Sequence, residues 1–298
     1  MQWTKAIESY SFYLKLEQGK SENTIASYVF DVRRLVDFCE QLNEKNLPLT
    51  IDTETLKEFI YALSKEVQPT TQSRIISGLK GFFMFLQLEG YRKDNPTELL
   101  ESPKTRKTFP DTLSTNEVDE LINGLDKNGA HAFRNHCMLE LLYSCGLRVS
   151  ELTQLRCSDL FFEQGLIRVH GKGDKFRWVP IAEETTKLIL SYLAQRKPKK
   201  KAKGHEDTLF LNNRGKQMTR AMIFTLVKNA AVVAGIKKTI SPHTLRHSFA
   251  THLVENGADI QLVQHMMGHA SITTTERYIH MSQQHLKDAI NRFHPRAD

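Results

Sequence analysis

The sequence is poor in cysteine and contains no long apolar run. Its 298 residues include four cysteines and no C-x-x-C pair: Cys39, Cys137, Cys145 and Cys157. A disulfide framework is therefore not expected. No stretch approaches the roughly 20 apolar residues that a membrane span needs, and the first 20 residues mix charges into their apolar positions, unlike a signal peptide. We predict a protein with free thiols that works in the reducing cytoplasm, with no membrane partner.

Three catalytic motifs are missing as well. The sequence has no Walker-type phosphate loop, no H-E-x-x-H zinc motif and no cluster of paired carboxylates. These absences argue against an ATP-driven enzyme, a zinc protease and a two-metal nuclease. We expect a chemistry that uses no cofactor and no metal ion.

Acidic residues are scarce relative to basic ones, but only in the second part of the chain. The net charge is +7, and residues 1–100 hold 12 lysines and arginines against 14 acidic residues. Residues 101–298 hold 29 basic and 20 acidic residues. This concentration of positive charge indicates a polyanionic partner, with nucleic acid the leading candidate, although a merely basic, well-solvated surface is the alternative.

The hydrophobic pattern divides the chain in two. Residues 1–90 show apolar positions at helical spacing and predict four or five short amphipathic helices, which form a small bundle-like domain. Residues 91–108 contain two prolines, Pro96 and Pro103, little periodicity and a basic cluster, so they are expected to form a linker. Residues 109–298 are mixed: helical runs surround "GLIRVHGKGDKFRWVPI", in which two β-rich runs flank a turn and predict a hairpin.

Histidine is concentrated near the end of the chain, around "SPHTLRHSFATHLVENG" at 241–257. Ser241 is a good helix N-cap, and Leu245, Phe249 and Leu253 form a core stripe. His243 and Arg246 fall on another face, in the first turns of the helix. Because the helix dipole is positive there, this end favours an anion over a metal cation.

A zinc site is the alternative explanation of the histidines. The pairs His243/His247 and His265/His269 have i, i+4 spacing, but no cysteine pair lies nearby to complete a tetrahedral site. Arg246 beside His243 would also repel a cation. The next segment, "MMGHASITTTERYIH", follows a helix that Gly268 is expected to end, and it carries Tyr278 nine residues after His269.

Four separated segments together resemble the tyrosine site-specific recombinases. They are R-x-x-E in "GLRVSEL", H-x-x-R in "HTLRHSFATHL", the turn "MMGH", and the tyrosine nine residues after its histidine. The length and the helical first region resemble the Xer branch of that family. The resemblance implies a mainly α fold with a small β-hairpin or sheet. It assigns 1–90 to an N-terminal, SAM-like core-binding domain and 109–298 to the catalytic domain. Met267 stands where leucine is commoner, which is a tolerable core substitution.

The resemblance also implies how a DNA phosphodiester is bound. Arg148 and Arg246 would place their guanidinium groups on the non-bridging oxygens, which lysines do less well. Glu151, one turn after Arg148, would orient that arginine. His269 would donate a hydrogen bond to a phosphate oxygen.

The remaining roles concern proton transfer and attack. Tyr278 would be the nucleophile and form a 3′-phosphotyrosyl intermediate. His243 would accept its proton, because a free tyrosine has a pKa of about 10. Lys172, at the hairpin tip, would be the general acid for the leaving oxygen, although a solvated turn residue is the alternative.

The family further implies double-stranded DNA with a specific site as substrate. It implies a homo- or hetero-tetramer, with a paralogous recombinase in the latter case, and a role in resolving chromosome dimers before cell division. A cell-division DNA translocase is a possible activator. Three alternatives stay open: an integrase of a mobile element, a type IB topoisomerase-like enzyme that relaxes DNA, and a non-enzymatic DNA-binding protein.

The C-terminus carries one more apolar stripe, formed by Leu286, Ala289, Ile290 and Phe293. A helix of about three turns is marginal alone in water, so the stripe must be buried. It can dock on its own catalytic domain or on a neighbouring protomer. The resemblance favours the neighbouring protomer, whose head-to-tail contacts would close a ring.

Overall fold

The chain forms two compact units, Met1–Thr108 and Phe109–Asp298. A computed structural model describes the chain except for 43–46, 105–110, 126–130, 172–175, 197–201, 269–282 and 297–298. Each unit has its own hydrophobic core.

The first unit consists of helices in the part of it that the structure describes. They are α1 (Trp3–Leu16), α2 (Glu22–Gln41), α3 (Thr53–Glu66) and α4 (Pro69–Leu88). Polar side chains begin two of them, as the sequence predicts for α2: the hydroxyl of Ser21 accepts from the Thr24 amide at 3.3 Å, and Asp52 caps α3 through the Thr55 amide at 2.9 Å. Pro69 fits the first turn of α4 because its missing N–H is not needed there.

Glycines in α4 allow its neighbours to approach closely. Gly78 lies against Asp31 of α2, and a Cβ atom at this position would stand 2.6 Å from the carboxylate. Asp31 is fully buried, and Arg74 satisfies it with two hydrogen bonds of 2.6 Å. A buried carboxylate needs such a partner, so α2 and α4 are held together by a polar contact inside an otherwise apolar core.

The second unit is helical with a small sheet. Its helices are α5 (Thr115–Asn123), α6 (Ala132–Ser144), α7 (Val149–Gln154), α8 (Glu183–Gln195), α9 (Arg220–Val233), α10 (Pro242–Glu255), α11 (Ile260–Met267) and α12 (Gln283–Phe293). The strands are β1 (Leu160–Phe161), β2 (Leu166–His170) and β3 (Phe176–Pro180). They form an antiparallel sheet in the order β1-β2-β3.

The fold class predicted from the sequence is confirmed. The two β-rich runs pair as the hairpin β2–β3, with Val169 opposite Arg177 and Ile167 opposite Val179. The core stripe of α10 is confirmed too: Leu245, Phe249 and Leu253 are fully buried.

The C-terminal stripe is buried, as predicted. Leu286, Ala289 and Ile290 of α12 lie in the core of their own unit, which is one of the two arrangements that the sequence leaves open, and docking on a neighbouring protomer stays a prediction. The next residues reinforce the attachment: the Arg296 guanidinium pairs with Asp119 at 2.6 Å and with Glu140 at 3.1 Å. Burial of the stripe together with two ion pairs stabilises the helix in cis.

None of the helices in the described part of the chain combines the length and the apolar character that crossing a membrane requires.

Candidate active site

A tight turn places Arg148 at the start of α7. Gly146 adopts a left-handed conformation, with φ of 55°, and a Cβ atom there would stand 2.4 Å from the Phe249 ring. Only glycine therefore fits between α6 and α10 at this point. Leu147 is buried beside it, and Arg148 occupies the N-cap position of α7.

Glu151 organises the cluster around α7. Its carboxylate accepts from the Arg148 backbone amide at 2.8 Å and from the Arg148 guanidinium at 2.8 Å. It also accepts two bonds from Arg177 of β3, at 2.7 and 2.9 Å. Arg246 of α10 stands at 3.8 Å from the same carboxylate. Three arginines from three different elements thus meet around one acidic group.

The same three arginines hold the end of α11. The Arg177 Nε donates to the Met266 carbonyl at 2.8 Å, Arg246 donates to the Met267 carbonyl, and Arg148 donates to the Gly268 carbonyl at 3.0 Å. Gly268 ends α11 in a left-handed conformation, as predicted. The turn that precedes His269 is therefore held in place by arginine hydrogen bonds to three consecutive carbonyls.

Arg246 lies deepest in the cluster. It is buried, and its second hydrogen bond goes to the Gly146 carbonyl. Both of its described acceptors are neutral backbone oxygens. An anion that enters the cluster can replace such acceptors, because hydrogen bonds between charged groups are stronger than those to a neutral carbonyl.

The electrostatics of the cluster leave a surplus of positive charge. Burial would raise the pKa of Glu151, but hydrogen bonds from Arg177 and Arg148 and the charge of Arg177 lower it to about 2, so the carboxylate is ionised. Burial and the neighbouring Arg148 lower the pKa of Arg246 to about 10, which still leaves it protonated at neutral pH. Three cations around one anion form a site that attracts a phosphate.

The structure brings some of the predicted site residues together, and others lie outside the described residues. Arg148 and Arg246 are brought together, and Glu151 orients Arg148 as the sequence suggests. His243 is exposed on the first turn of α10, whereas Arg246 one turn later is buried. Arg246 makes its described contacts in the cluster, and the role of His243 beside it stays a prediction. Lys172, His269 and Tyr278 lie outside the described residues.

Other histidines of the C-terminal segment have structural surroundings. His252 is buried and its Nδ1 lies 2.8 Å from the Tyr143 hydroxyl. His294 is buried between the Tyr143 and Phe249 rings. Within the described residues, no group of three or more histidine, cysteine or acidic side chains has the arrangement of a metal site.

Arg177 is the member of the cluster that sequence reasoning does not identify. It lies on β3 directly opposite Val169, and Val179 two residues later is fully buried. Alternate residues of a strand share a face, so Arg177 lies on the buried face of the sheet. An arginine on the apolar face of a predicted strand is the signal that singles it out.

Comparisons with known proteins agree with this geometry. The Phage integrase family profile matches residues 111–285, and the phage integrase N-terminal SAM-like domain matches residues 7–90. Tyrosine recombinase XerD of Staphylococcus aureus (strain Mu50 / ATCC 700699) is 40% identical over 292 residues, which cover 98% of this chain and 99% of that protein. Tyrosine recombinase XerD of Oceanobacillus iheyensis is 40% identical over 294 residues, with the same coverage.

Among solved structures, the XerH site-specific recombinase bound to its difH substrate in a pre-cleavage complex has a TM-score of 0.69 and 26% identity. The match covers 95% of this chain and 83% of that one. Two domain profiles and full-length identity of 40% identify the family. The chain belongs to the phage integrase family, and within it to the Xer-type site-specific tyrosine recombinases, enzymes that cleave and rejoin DNA strands.

Proposed function

We propose that this recombinase cuts and rejoins a specific duplex site through Tyr278, and that its role is to resolve chromosome dimers before cell division. The XerD relatives and the XerH protein seen with a difH substrate support this role. The reaction proceeds through a 3′-phosphotyrosyl bond, which conserves the energy of the phosphodiester. No ATP or metal ion takes part in it.

The convergence of Arg148 and Arg246 on one carboxylate is the observation that carries the proposal. In the DNA-free protein the Arg148 guanidinium donates to Glu151 and to the Gly268 carbonyl, and the Arg246 guanidinium, 3.8 Å from Glu151, donates to the Met267 carbonyl. A scissile phosphate replaces the two carbonyls and receives both guanidinium groups on its non-bridging oxygens. Preorganised donors of this kind stabilise the charge that develops in phosphoryl transfer.

The other predicted residues complete the reaction. Tyr278 attacks the phosphorus, and His243 accepts the phenolic proton. The exposed position of His243 at the first turn of α10 suits a group that meets a nucleophile arriving from outside the helix. His269 donates to a phosphate oxygen, and Lys172 gives a proton to the leaving 5′-oxygen.

The assembly follows from the need to exchange strands between two duplexes. Four protomers, either identical or shared with a paralogous recombinase, hold two sites, and both residues 1–108 and the catalytic unit bind the DNA. A cell-division DNA translocase activates the complex, and the reaction takes place in the cytoplasm. The basic second part of the chain supplies the phosphate contacts.

The test is a nicked suicide substrate, on which cleavage traps the covalent intermediate. Tyr278→Phe is expected to bind site DNA with unchanged affinity and to form no adduct that survives denaturation. Tyr61→Phe is the matched control, because Tyr61 is an exposed tyrosine of the first unit, and it is expected to form the adduct normally. A denaturation-resistant adduct from Tyr278→Phe would reject Tyr278 as the nucleophile.

A further inference from the structure

Arg177 contributes half of the hydrogen bonds that the Glu151 carboxylate accepts from the arginine cluster. A carboxylate has about four acceptor positions. Two of them are taken by the Arg148 amide and guanidinium and two by the Arg177 guanidinium. Because the Glu151 side chain is only 3% exposed, water cannot replace a lost partner.

We propose that Arg177 is a positioning residue of DNA cleavage: it holds Glu151 and the end of α11 so that Arg148 and Arg246 stay available to the scissile phosphate. This inference rests on the roles proposed above for those two arginines. Arg177 itself does not touch the phosphate.

The acceptors of Arg177 separate it from the two phosphate-binding arginines. Both bonds of its two terminal guanidinium nitrogens go to a charged carboxylate, which a phosphate has no advantage in replacing. Arg246 donates to neutral carbonyls, and Arg148 has a side chain that is 34% exposed, against 11% for Arg177. The donors open to exchange therefore belong to Arg148 and Arg246.

Arg177 also packs under the turn that ends α11. Its Nε binds the Met266 carbonyl, and a Cβ atom at Gly268 would stand 3.2 to 3.3 Å from the Arg177 side chain. The left-handed Gly268 therefore lies directly on the guanidinium. This contact couples the position of the carboxylate to the turn from which the chain continues to His269.

Loss of Arg177 would turn Glu151 into a competitor of the phosphate. Two acceptor positions of a buried carboxylate would be left without donors. Among the described residues, the next cation is Arg246, whose guanidinium stands 3.8 Å from the same carboxylate. A shift of Arg246 toward Glu151 would draw it away from the phosphate, and misplacement by about 1 Å can reduce a rate by about 100-fold.

Single-turnover cleavage of the nicked substrate by the full-length protein at saturating DNA measures this effect. Arg177→Met is expected to cleave about 100-fold more slowly than the wild type, with DNA affinity unchanged. Arg177→Lys keeps the charge but cannot form the paired bonds, so its rate is expected to lie between the two. If Arg177→Met does not fold, Arg177→Lys alone must still show slowed cleavage with normal affinity.

Arg168 provides the matched control. It lies on the neighbouring strand β2 and binds another fully buried carboxylate, Asp159, at 3.0 Å. Arg168→Met removes an ion pair of the same kind from the same sheet, outside the cluster. Its cleavage rate at saturating DNA is expected to stay within about 3-fold of the wild type, as for an interaction that is only structural.

A double-mutant cycle tests whether Arg177 acts through Glu151. If it does, Arg177→Met combined with Glu151→Gln is expected to cleave no more slowly than the slower single variant, because the competing carboxylate is gone. Defects that multiply would overturn the inference. So would wild-type cleavage by folded Arg177→Met, or a loss of DNA affinity that accounts for its slower cleavage.

Failure of the proposed function remains distinguishable in the same assay. An adduct formed by Tyr278→Phe rejects the nucleophile and leaves the Arg177 comparison standing. Inactive Tyr278→Phe together with fully active Arg177→Met rejects the positioning role alone.

Discussion

Each of the two units contains a buried carboxylate bound by arginine, but the number of arginines around it differs. In the first unit, the fully buried Asp31 receives two hydrogen bonds from one arginine, Arg74, and the charges balance. In the second unit, the buried Glu151 is surrounded by three arginines. A carboxylate with one arginine ties two helices together, whereas a carboxylate with three leaves cations unsatisfied.

The difference explains why only one of these ion-pair groups is a candidate site. A balanced pair needs no further ligand, and its main contribution is to fix the packing of α2 on α4. A cluster with more arginines than carboxylates has a net positive charge and therefore attracts an anion. Its spare donors rest on backbone carbonyls that an anion can displace.

The largest effect is expected from Arg246→Ala. Removal of this guanidinium takes away one of the two phosphate contacts and should slow cleavage at saturating DNA about 1000-fold. Arg74→Ala removes an arginine of the balanced pair and should cleave at the wild-type rate per folded molecule. Equal cleavage rates for Arg246→Ala and the wild type would contradict the claim that the arginine cluster, unlike the Asp31–Arg74 pair, binds the phosphate.

The balanced pair should show its effect in stability instead. Arg74→Met leaves Asp31 buried without its partner, which should lower the free energy of unfolding of the first unit by about 3 kcal/mol; the 43% exposure of Arg74 places this at the low end for a buried pair. Urea unfolding followed by tryptophan fluorescence at Trp3 measures this. Asp31→Asn/Arg74→Met should recover part of the loss, and an unfolding midpoint of Arg74→Met equal to that of the wild type would refute the structural role.

A smaller, pH-dependent effect is expected where the C-terminal helix docks. Burial, Arg296 and His252 lower the pKa of His294 from 6.5 to about 3, so the docked tail holds His294 neutral. The released tail binds a proton more readily, and docking therefore weakens as pH falls from 6.5 toward 3. At pH 5 the free energy of docking is smaller by about 2 kcal/mol.

Hydrogen exchange of α12 between pH 7 and pH 5 measures this weakening, after correction for the intrinsic exchange rate. Protection of α12 should fall in the wild type, and His294→Phe should keep more of it, because its ring still packs on Phe249 and does not titrate. Protection that does not change with pH in the wild type would exclude His294 as the cause.

Local patterns predict much of the fold. The hairpin follows from two β-rich runs around a glycine turn, and the cap at Ser21 follows from a side chain that accepts from the amide three residues later. The C-terminal helix shows the limit of such patterns. Its stripe reveals that one face must be buried but not which chain buries it, because an amphipathic period contains no information about the partner.

The candidate site was predicted to a similar degree. Arg148, Glu151 and Arg246 are recognised because their spacing belongs to motifs within single helices. Arg177 is missed because its role depends on the register of β3 against β2 and on the approach of α7, which no local spacing encodes. His243 lies on the same helix as Arg246, where i, i+3 spacing leaves about 60° between the two side chains, and its role as proton acceptor stays a prediction.

The central claim is that the arginine surplus of the second unit delivers a phosphate to Tyr278. The most direct test is to trap the covalent adduct of the wild-type protein on a nicked site in excess EDTA, digest it, and identify the modified peptide by mass spectrometry. The account predicts a nucleotide joined through its 3′-phosphate to Tyr278. An adduct on another residue, or cleavage that EDTA abolishes and added Zn²⁺ or Mg²⁺ restores, would contradict it.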